Sequence, residues 1–586
     1  MCRGKIGFFT VGAFASSLFV TGCMVGPNYQ RPEQTVPAGY QHVPSSDAAA
    51  PKLAGGVTTQ GELNDEYWRM LNDPMLNSLI DRALANNPDL HMAEARIRQA
   101  RAAGTIGATA LWPVFGVGGN YQYRGSSLNA GPKPSQPTFR NNVINGTVGG
   151  LGSNAAAAIL GGGPFLSTTP PEIPRNAAAT AVRGGTSILQ NKISEIHAPR
   201  DINLFHTGFD ASWEADLWGG TRRAIEASGY GLEATIDSLH NLQGSLVGEV
   251  ARNYVQARGF QKRLGVAREN VARQQKAYET TLHLREAGKI SDLPIRQAEA
   301  QLASTQALIP VYEGNYYQAV HRIGVLLGQT PESLIDEFAK AAPIPTVPPQ
   351  LPIGLPSSLL SRRADVCQSE RLLAQTTADI GVATADLFPQ FSITGSFGTD
   401  TRNFQHIFDY NSLSWGVGPS IRWPIFDGGR VRANIELQNA RAVEAALQYS
   451  GTLSVALEEV ENALVAYSGE QVRFARLSEA VEANRKAYDI AYSQFSGGLT
   501  NFLDLLQVEG ALITTEDQMI ESETNVVVNF IAVNKALGSG GQTPHVPRPG
   551  MDGPIVEWFD WSPVFSVFAK PPEVHLSGPS SDSEQK

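Results

Sequence analysis

Side chains that could carry out catalysis or hold a metal ion are scattered along this 586-residue sequence. The ten histidines form no His-Glu-x-x-His motif and no cluster with cysteine at metal-ligand spacing. Residues 150–155 formally fit a Gly-x-Gly-x-x-Ala dinucleotide fingerprint, but they lack the strand and the helix that this motif requires. Cys367 is typical of a cysteine packed on a helix rather than of a nucleophile. The sequence therefore predicts no catalytic residue, no cofactor and no metal site.

Cys23 is the thiol whose surroundings favour a covalent modification. Two basic residues and a short apolar run over 6–20 lead to Val-Thr-Gly-Cys at residues 20–23. This pattern is typical of a secretory signal peptide, here residues 1–22. The last four residues resemble a bacterial lipobox, which would make Cys23 the lipidated first residue of the mature protein. The alternative is an ordinary signal peptide that happens to contain a cysteine.

Charge and cysteine content limit the classes of partner. The formal net charge of −10 disfavours nucleic acid, because a phosphate-binding surface normally carries an excess of basic residues. Three cysteines, two of them in the targeting segment, cannot build a disulfide framework. After the signal peptide there is no apolar run of about 18 residues, so we expect no transmembrane helix in the mature chain.

The stretch from Gly428 to Gly538 dominates the second half of the chain. It contains no proline, and its apolar residues recur in steps of three, four and seven, as in a coiled-coil seam. The seam positions are Leu457, Val460, Leu464, Tyr467, Phe474, Leu477, Val481, Tyr488, Tyr492 and Phe495. We predict helices over about 428–496 and 501–537, joined by a turn near residues 497–501. A helix of the first length would be roughly 100 Å long and cannot bury its seam alone.

The same hairpin occurs earlier in the chain at an offset of 210 residues. Gly288 falls on Gly498, Leu293 on Leu503, and nine of the ten seam positions stay apolar or small. Such a match without gaps indicates an internal duplication. It predicts a first pair of helices over about 219–287 and 292–327.

Four segments alternate with a period of two and predict strands over about 112–124, 204–217, 388–400 and 412–425. One face of each is apolar, as with Phe115 and Val117, and the other is small or polar. Each segment has about the length that a tilted strand needs to cross a bilayer, with aromatic residues near its ends. The strands alone leave open a half-buried sheet of a soluble protein.

The remaining segments set the predicted boundaries. An extended segment over 23–66 leads to a first structural repeat over 67–328, and a stiff proline-rich linker over 329–356 leads to the second repeat over 357–538. The first repeat carries an insertion of low complexity over 125–203. The tail over 539–586 is predicted to be partly disordered, with one aromatic cluster at Trp558, Phe559 and Trp561.

These elements predict a mainly α-helical chain with a small membrane β part that must oligomerise. Four strands cannot close a barrel, and an open sheet edge in lipid leaves backbone groups unpaired. Three copies would supply about 12 strands, and their paired helices would form a ring too wide for side chains to fill.

Motifs along nearly the whole chain resemble the TolC-like outer-membrane efflux proteins, most closely the lipoprotein branch that serves RND-type tripartite pumps. The N-terminal motifs are Gly26-Pro27-Asn28-Tyr29 after Cys23, and Asn87-Pro88-Asp89-Leu90. The two strand-to-helix joints are Glu214-Ala215-Asp216-Leu217-Trp218-Gly219 and Trp423-Pro424-Ile425-Phe426-Asp427-Gly428-Gly429.

This resemblance implies a homotrimer with a 12-stranded barrel in the outer membrane and an α-helical barrel across the periplasm. It also implies a periplasmic adaptor protein and an inner-membrane RND-type pump as partners. Substrates would move through the lumen without chemical change. Met24 stands where many inner-membrane lipoproteins have aspartate, which by resemblance favours anchoring in outer-membrane lipid.

In the family, the helix after the second tip lines the closed periplasmic entrance, and a carboxylate and an arginine help to hold it. The sequence departs from the family here, because Gln507 stands in the carboxylate position and Gly510 in the arginine position. Asp504 lies one turn earlier on the same helix face. Our hypothesis is that Asp504 and Gln507, with Leu503, form a constriction held by weaker bonds than an ion pair. The alternative is that Asp504 is a solvated helix-start residue favourable to the helix dipole.

The two hairpin tips are the candidate contacts with the adaptor. The candidate residues are Gly288, Lys289, Ser291 and Asp292 in the first tip and Gly498, Leu499, Thr500 and Asn501 in the second. Local structure alone would also explain them, since glycine ends a helix and a short polar residue caps the next one.

Two other functions remain open from the sequence. The same predicted architecture could serve as a channel for protein or polysaccharide secretion. From a different class, the chain could be a coiled-coil surface lipoprotein that conducts nothing.

Overall fold

A computed structural model describes residues 24–34, 36–41, 57–59, 61, 63–125 and 201–541 of the chain. The predicted signal peptide, Cys23, residues 126–200 of the predicted insertion and the tail from residue 542 lie outside the described residues.

The helices and strands are numbered here in chain order, with short 3₁₀ turns between some of them. They are β1 (Val57–Thr59), α1 (Pro74–Asn86), α2 (Pro88–Ala108), β2 (Val114–Gly125), β3 (Asp201–Ala215), α3 (Gly220–Glu286), α4 (Leu293–Gln306), α5 (Leu308–Leu326), α6 (Ile335–Phe338), β4 (Gln350–Pro352), α7 (Leu359–Arg362), α8 (Ala364–Ala385), β5 (Gln390–Thr401), β6 (Leu413–Arg422), α9 (Arg430–Ser496) and α10 (Phe502–Ala536).

Helices α3 and α9 are the longest elements of the described chain. Each has 67 residues, and their first residues are 210 positions apart, the offset of the sequence duplication. Each follows a glycine in the left-handed region, Gly219 at φ +77° and Gly429 at φ +90°, which lets the chain turn sharply from strand to helix. The predicted fold class, with two long helical hairpins and four strands, is confirmed.

The predicted single helix over 292–327 is instead two helices, α4 and α5, separated at Ala307. Pro310 accounts for the break, because proline lacks the N–H that would bond to the carbonyl of Gln306. In the second repeat the position of Pro310 is held by Ile520, and α10 is continuous.

Strands β2, β3, β5 and β6 form one antiparallel sheet in that order. The pairing of β3 with β5 joins the two repeats, and the β2–β3 ladder extends to Gly125 opposite Asp201. The ends of the predicted insertion over 125–203 therefore belong to the strands, since each added pair satisfies further backbone groups.

The register aligns the apolar faces predicted for the four strands. One row across the sheet is Val117, Phe209, Phe397 and Trp415, and the neighbouring row is Gly116, Asp210, Ser396 and Gly416. The apolar row lies on a surface that the described chain leaves uncovered, since Trp415 is 75% exposed. This sheet thus has one apolar outer face and one small or polar face.

The predicted extended linker over 329–356 is partly regular structure. Pro331 begins a 3₁₀ turn that continues into α6, a position where a missing N–H costs nothing. Strand β4 pairs in parallel with β1 from the N-terminal segment. The proline-rich sequence predicts a stiff linker. It does not predict this strand pairing, because the partner strand lies almost 300 residues away along the chain.

The main hydrophobic core lies midway along the long helices, where α1, α2, α5 and α10 pack on α3. Tyr254 of α3 is buried there and donates a hydrogen bond to Asp73 at 2.6 Å. The guanidinium of Arg258 lies 5.0 Å from the ring centre of Phe338. This core fixes the two repeats against each other and leaves both hairpin tips projecting from it.

Candidate functional site

Both hairpin tips turn through a glycine with positive φ. Gly288 has φ +70° and Gly498 has φ +75°. In each tip the next residue closes the helix, with Lys289 N–H bonded to Leu284 O at 2.9 Å and Leu499 N–H bonded to Gln494 O at 2.8 Å. These are the hydrogen bonds of a helix end that requires a left-handed residue.

The tips differ in the side chains that they expose. In the first tip, Asp292 forms an ion pair with Arg285 across the turn. In the second tip, the Asn501 side chain accepts a hydrogen bond from Asp504 N–H and caps α10. Leucines are exposed beside both turns, with Leu499 83% exposed and Leu293 and Leu503 more than half exposed. Both tips thus present apolar side chains next to a polar turn.

The gate candidates Leu503, Asp504 and Gln507 all lie on the exposed side of the first turns of α10. The same exposed stripe continues along the helix through Ala511, Thr514, Gln518 and Glu521. Asp504 accepts a hydrogen bond from Thr500 Oγ1 at 2.6 Å. Its carboxylate thus serves the local turn and also faces open space, so the geometry fits both interpretations of this residue.

A buried charge cluster that the sequence analysis missed ties the second hairpin to α3. Glu516 of α10 is buried, and its carboxylate accepts from Arg273 of α3 at 2.8 Å and from Arg485 of α9 at 2.7 Å. The sequence of the buried face of α10 contains a signal for this charge cluster. Glutamates replace apolar residues at two positions of the series Phe502, Leu505, Glu509, Leu512, Glu516 and Ile520.

Other polar contacts join the same helices nearer the core. Arg263 of α3 forms a bidentate pair with Asp517, at 2.7 and 2.6 Å, and Tyr312 donates to the same carboxylate at 2.8 Å. Lys262 pairs with Glu523 at 2.5 Å. The two repeats are therefore held together by polar contacts that α10 makes from Glu516 to Glu523, which the periodicity of either repeat did not predict.

Within the described residues, no three His, Cys, Asp or Glu side chains converge as metal ligands. No helix of the described part of the chain has a stretch long and apolar enough to cross a membrane.

The family model for outer membrane efflux proteins matches residues 183–329 and 355–539, together more than half of the chain. The chain belongs to the outer membrane efflux protein family. The predicted resemblance is thereby confirmed at the level of the family.

Relatives of this outer membrane efflux protein match over most of its length. The nodulation protein T of Rhizobium leguminosarum bv. trifolii is 27% identical over 525 residues, covering 89% of this chain and 96% of that protein. The toluene efflux pump outer membrane protein TtgF of Pseudomonas putida is 27% identical over 540 residues, covering 90% and 96%. The solved structure of the outer-membrane channel OprN has a TM-score of 0.71 and 31% identity, covering 89% of this chain and all of that one.

Membership of the family orients the elements. The four-stranded sheet, with its uncovered apolar face, is the part of this outer membrane efflux protein that lies in the outer membrane, and the long helices extend into the periplasm. This decides against the soluble-sheet alternative. The family is one of channels, not a class of enzymes.

The N-terminal segment of the efflux protein packs where the sheet meets α3. Val25 N–H donates to Trp218 O at 3.1 Å. Arg223 of α3 is buried and donates to Val25 O at 3.2 Å and to Asn28 Oδ1 at 2.6 Å. A Cβ on Gly26 would come within 2.4 Å of Gly381 Cα, so only glycine fits there. The Gly-Pro-Asn-Tyr motif was a family signature in the sequence, but its contact with Arg223 was not predicted.

Proposed function

We propose that three copies of this efflux protein close around one axis to form the outer-membrane exit duct of a tripartite pump. The supporting observation is the sheet with an uncovered apolar face. Its outer strands β2 and β6 each have one neighbour within the described chain. Open strand edges leave backbone groups unpaired in lipid, so the edges must pair with neighbouring copies. Three sheets give about 12 strands, within the range of membrane barrels.

The long helices support the same arrangement. Along its length α9 carries exposed apolar side chains that no described part of the chain covers: Leu437, Val443, Leu447, Val455, Val465 and Val472. In a trimer, α9 lies against a neighbouring copy and these side chains become buried. The resulting helical barrel continues the lumen of the β-barrel across the periplasm, and small molecules cross it without chemical change.

Reconstitution in planar bilayers tests this function directly. We expect discrete conductance steps from purified protein that migrates as a trimer on unheated gels. A protein that inserts no conducting unit, or that remains a water-soluble monomer after detergent removal, contradicts the duct.

The hairpin tips are the proposed docking site of a periplasmic adaptor. An inner-membrane RND-type pump delivers the substrate to that adaptor. The exposed leucines at the tips support a docking role. The tips follow the ends of α3 and α9 that are opposite to the ends joined to the sheet. The relative named a toluene efflux pump outer membrane protein works within a pump, which supports such partners here.

We propose that Asp504 and Gln507 narrow the periplasmic entrance and that the Asp504 charge attracts cations there. Replacing Asp504 with alanine should change the single-channel conductance and reduce the preference for cations, because three carboxylates would leave a narrow pore. Both quantities are measured in planar bilayers with a KCl gradient.

An Asp504→Asn variant separates the gate from the helix cap. Asparagine keeps the acceptor for Thr500 but removes the charge. If this variant matches the wild type in both conductance and ion preference, Asp504 serves the turn and the gate assignment fails.

We propose that Cys23 is acylated and that its lipid lies in the inner leaflet of the outer membrane. Met24 packs against Gly219 at the joint between sheet and helix, which supports a position for Cys23 beside the membrane boundary. Replacing Cys23 with serine should abolish acylation while the protein stays in the outer membrane, because the barrel holds it there independently. Mass spectrometry of the N-terminal peptide measures this. An unmodified Cys23 in the wild-type protein contradicts the proposal.

A further inference from the structure

Glu509 is a buried carboxyl that neither the duct nor the proposed gate uses. It lies on the side of α10 opposite Asp504 and Gln507 and is 2% exposed. Its helical neighbours Leu505 and Leu512 are fully or almost fully buried. Its Oε1 atom has no hydrogen-bond partner within the described residues. A carboxyl in such a place is costly to ionise.

The groups around Glu509 come from every helix packed against it. Helix α3 contributes Arg273, and α9 contributes Tyr488, whose ring lies 5.9 Å from the Arg273 guanidinium. Helix α4 contributes the apolar Ala298 to this cluster, while its charged residues Arg296 and Glu299 pair with each other on the surface. Two turns along α10, Glu516 holds both Arg273 and Arg485.

Arg273 is therefore the cation that an ionised Glu509 would need, and Glu516 already engages it. Burial raises the pKa of Glu509 to about 7, against the opposing effect of the Arg273 charge. The pKa of Tyr488 is raised to about 12, by burial and then by the charge of Glu509. Because the pKa of Glu509 in the folded protein is raised, the tightly packed state is favoured at lower pH. That preference is lost as pH rises through about 7.

We propose that Glu509 is a proton-controlled latch between the second hairpin and α3. This inference rests on the proposed duct. When neutral, Glu509 stays between Leu505 and Leu512, and α10 packs closely on α3. When ionised, it either draws Arg273 away from Glu516 or admits water into the apolar cluster, and both changes loosen α10. Glu509 lies five residues from Asp504, roughly 7.5 Å along the helix, so this loosening widens the entrance.

The duplication supplies a matched control. Glu299 occupies the same position in the first repeat, 210 residues earlier, but it is exposed and paired with Arg296. His283 lies exposed in the last turn of α3, 3.6 Å from Glu286, and serves as a histidine control near the tip.

The test is single-channel conductance of the full-length trimer in planar bilayers at matched salt, from about pH 5.5 to 8.5. The variants are Glu509→Gln, Glu509→Leu, Glu299→Gln and His283→Gln. We expect the wild type, Glu299→Gln and His283→Gln to show a several-fold rise in conductance with a midpoint near pH 7. Glu509→Gln and Glu509→Leu should keep the low-pH conductance throughout, since neither can ionise.

The outcomes separate the latch from the duct. A wild type without a pH-dependent rise, or a Glu509→Gln variant that keeps it, overturns the latch. Loss of the rise in His283→Gln with its retention in both Glu509 variants assigns the effect to the histidine and overturns the latch as well. Absence of conductance in all proteins at every pH overturns the duct itself.

Discussion

Replacing Gly288 and Gly498 together with leucine is expected to abolish efflux while the trimer still assembles. Both glycines have positive φ, and in both a Cβ would meet nothing within 4 Å. The substitution therefore strains each turn by only about 1 to 2 kcal/mol but places bulk on the surface where we propose the adaptor docks. A clash at the centre of an interface costs about 2 kcal/mol or more, roughly a thirtyfold loss of affinity. Efflux is measured as dye export from cells that express the chain with its adaptor and pump.

Two controls test whether the effect belongs to the tips. Asparagine at both positions accepts positive φ more readily than leucine and should retain more efflux. The second control is Gly314→Leu, which makes the same substitution away from the tips. Gly314 is an exposed helical glycine of α5 with open space around it. Normal efflux in the Gly288→Leu, Gly498→Leu double variant would contradict the proposal that the adaptor docks on the tips.

Replacing Glu516 with alanine is expected to destabilise the packing of α10 on α3 by about 3 kcal/mol. The change leaves Arg273 without its buried partner, and breaking a buried ion pair on one side costs about 3 to 5 kcal/mol. The lower end of this range applies because Arg485, the second partner of Glu516, is largely exposed, so the loss of its ion pair costs little free energy. The expected observation is a lower midpoint of thermal unfolding of the detergent-solubilised trimer, followed by circular dichroism.

Glu523 provides the matched control for Glu516. It lies on the same helix and pairs with Lys262 of α3, but both side chains are partly exposed. Glu523→Ala should therefore cost under about 1 kcal/mol. The double variant Arg273→Met, Glu516→Leu should recover stability, because it removes the buried carboxylate together with its partly buried partner. Equal losses for Glu516→Ala and Glu523→Ala would show that burial of Glu516 contributes nothing special.

Most of the helical architecture could be predicted from the sequence because it depends on local periodicity. The helices predicted over about 219–287 and 428–496 begin and end within two residues of α3 and α9. The gapless offset of 210 residues places Gly288 and Gly498 at matching turns. Alternation likewise predicted the apolar face of each strand, and the observed register aligns those faces. The duplication does not predict the break at Ala307, because the matching helix α10 is continuous and has Ile520 in place of Pro310.

The sequence by itself determined which faces are apolar, where the helices turn and that the chain is duplicated, since each follows from residues close together along the chain. Only the tertiary structure decided which faces meet. It pairs β3 with β5, seats Arg223 on the N-terminal segment and brings Arg273 to Glu516, partners separated by roughly 170 to 250 residues. Periodicity marks a buried face but not the helix that covers it. For that reason, the sequence places Glu509 and Glu516 on the same seam. Only the packed neighbours show that Glu516 is paired, whereas Glu509 Oε1 has no hydrogen-bond partner among the described residues.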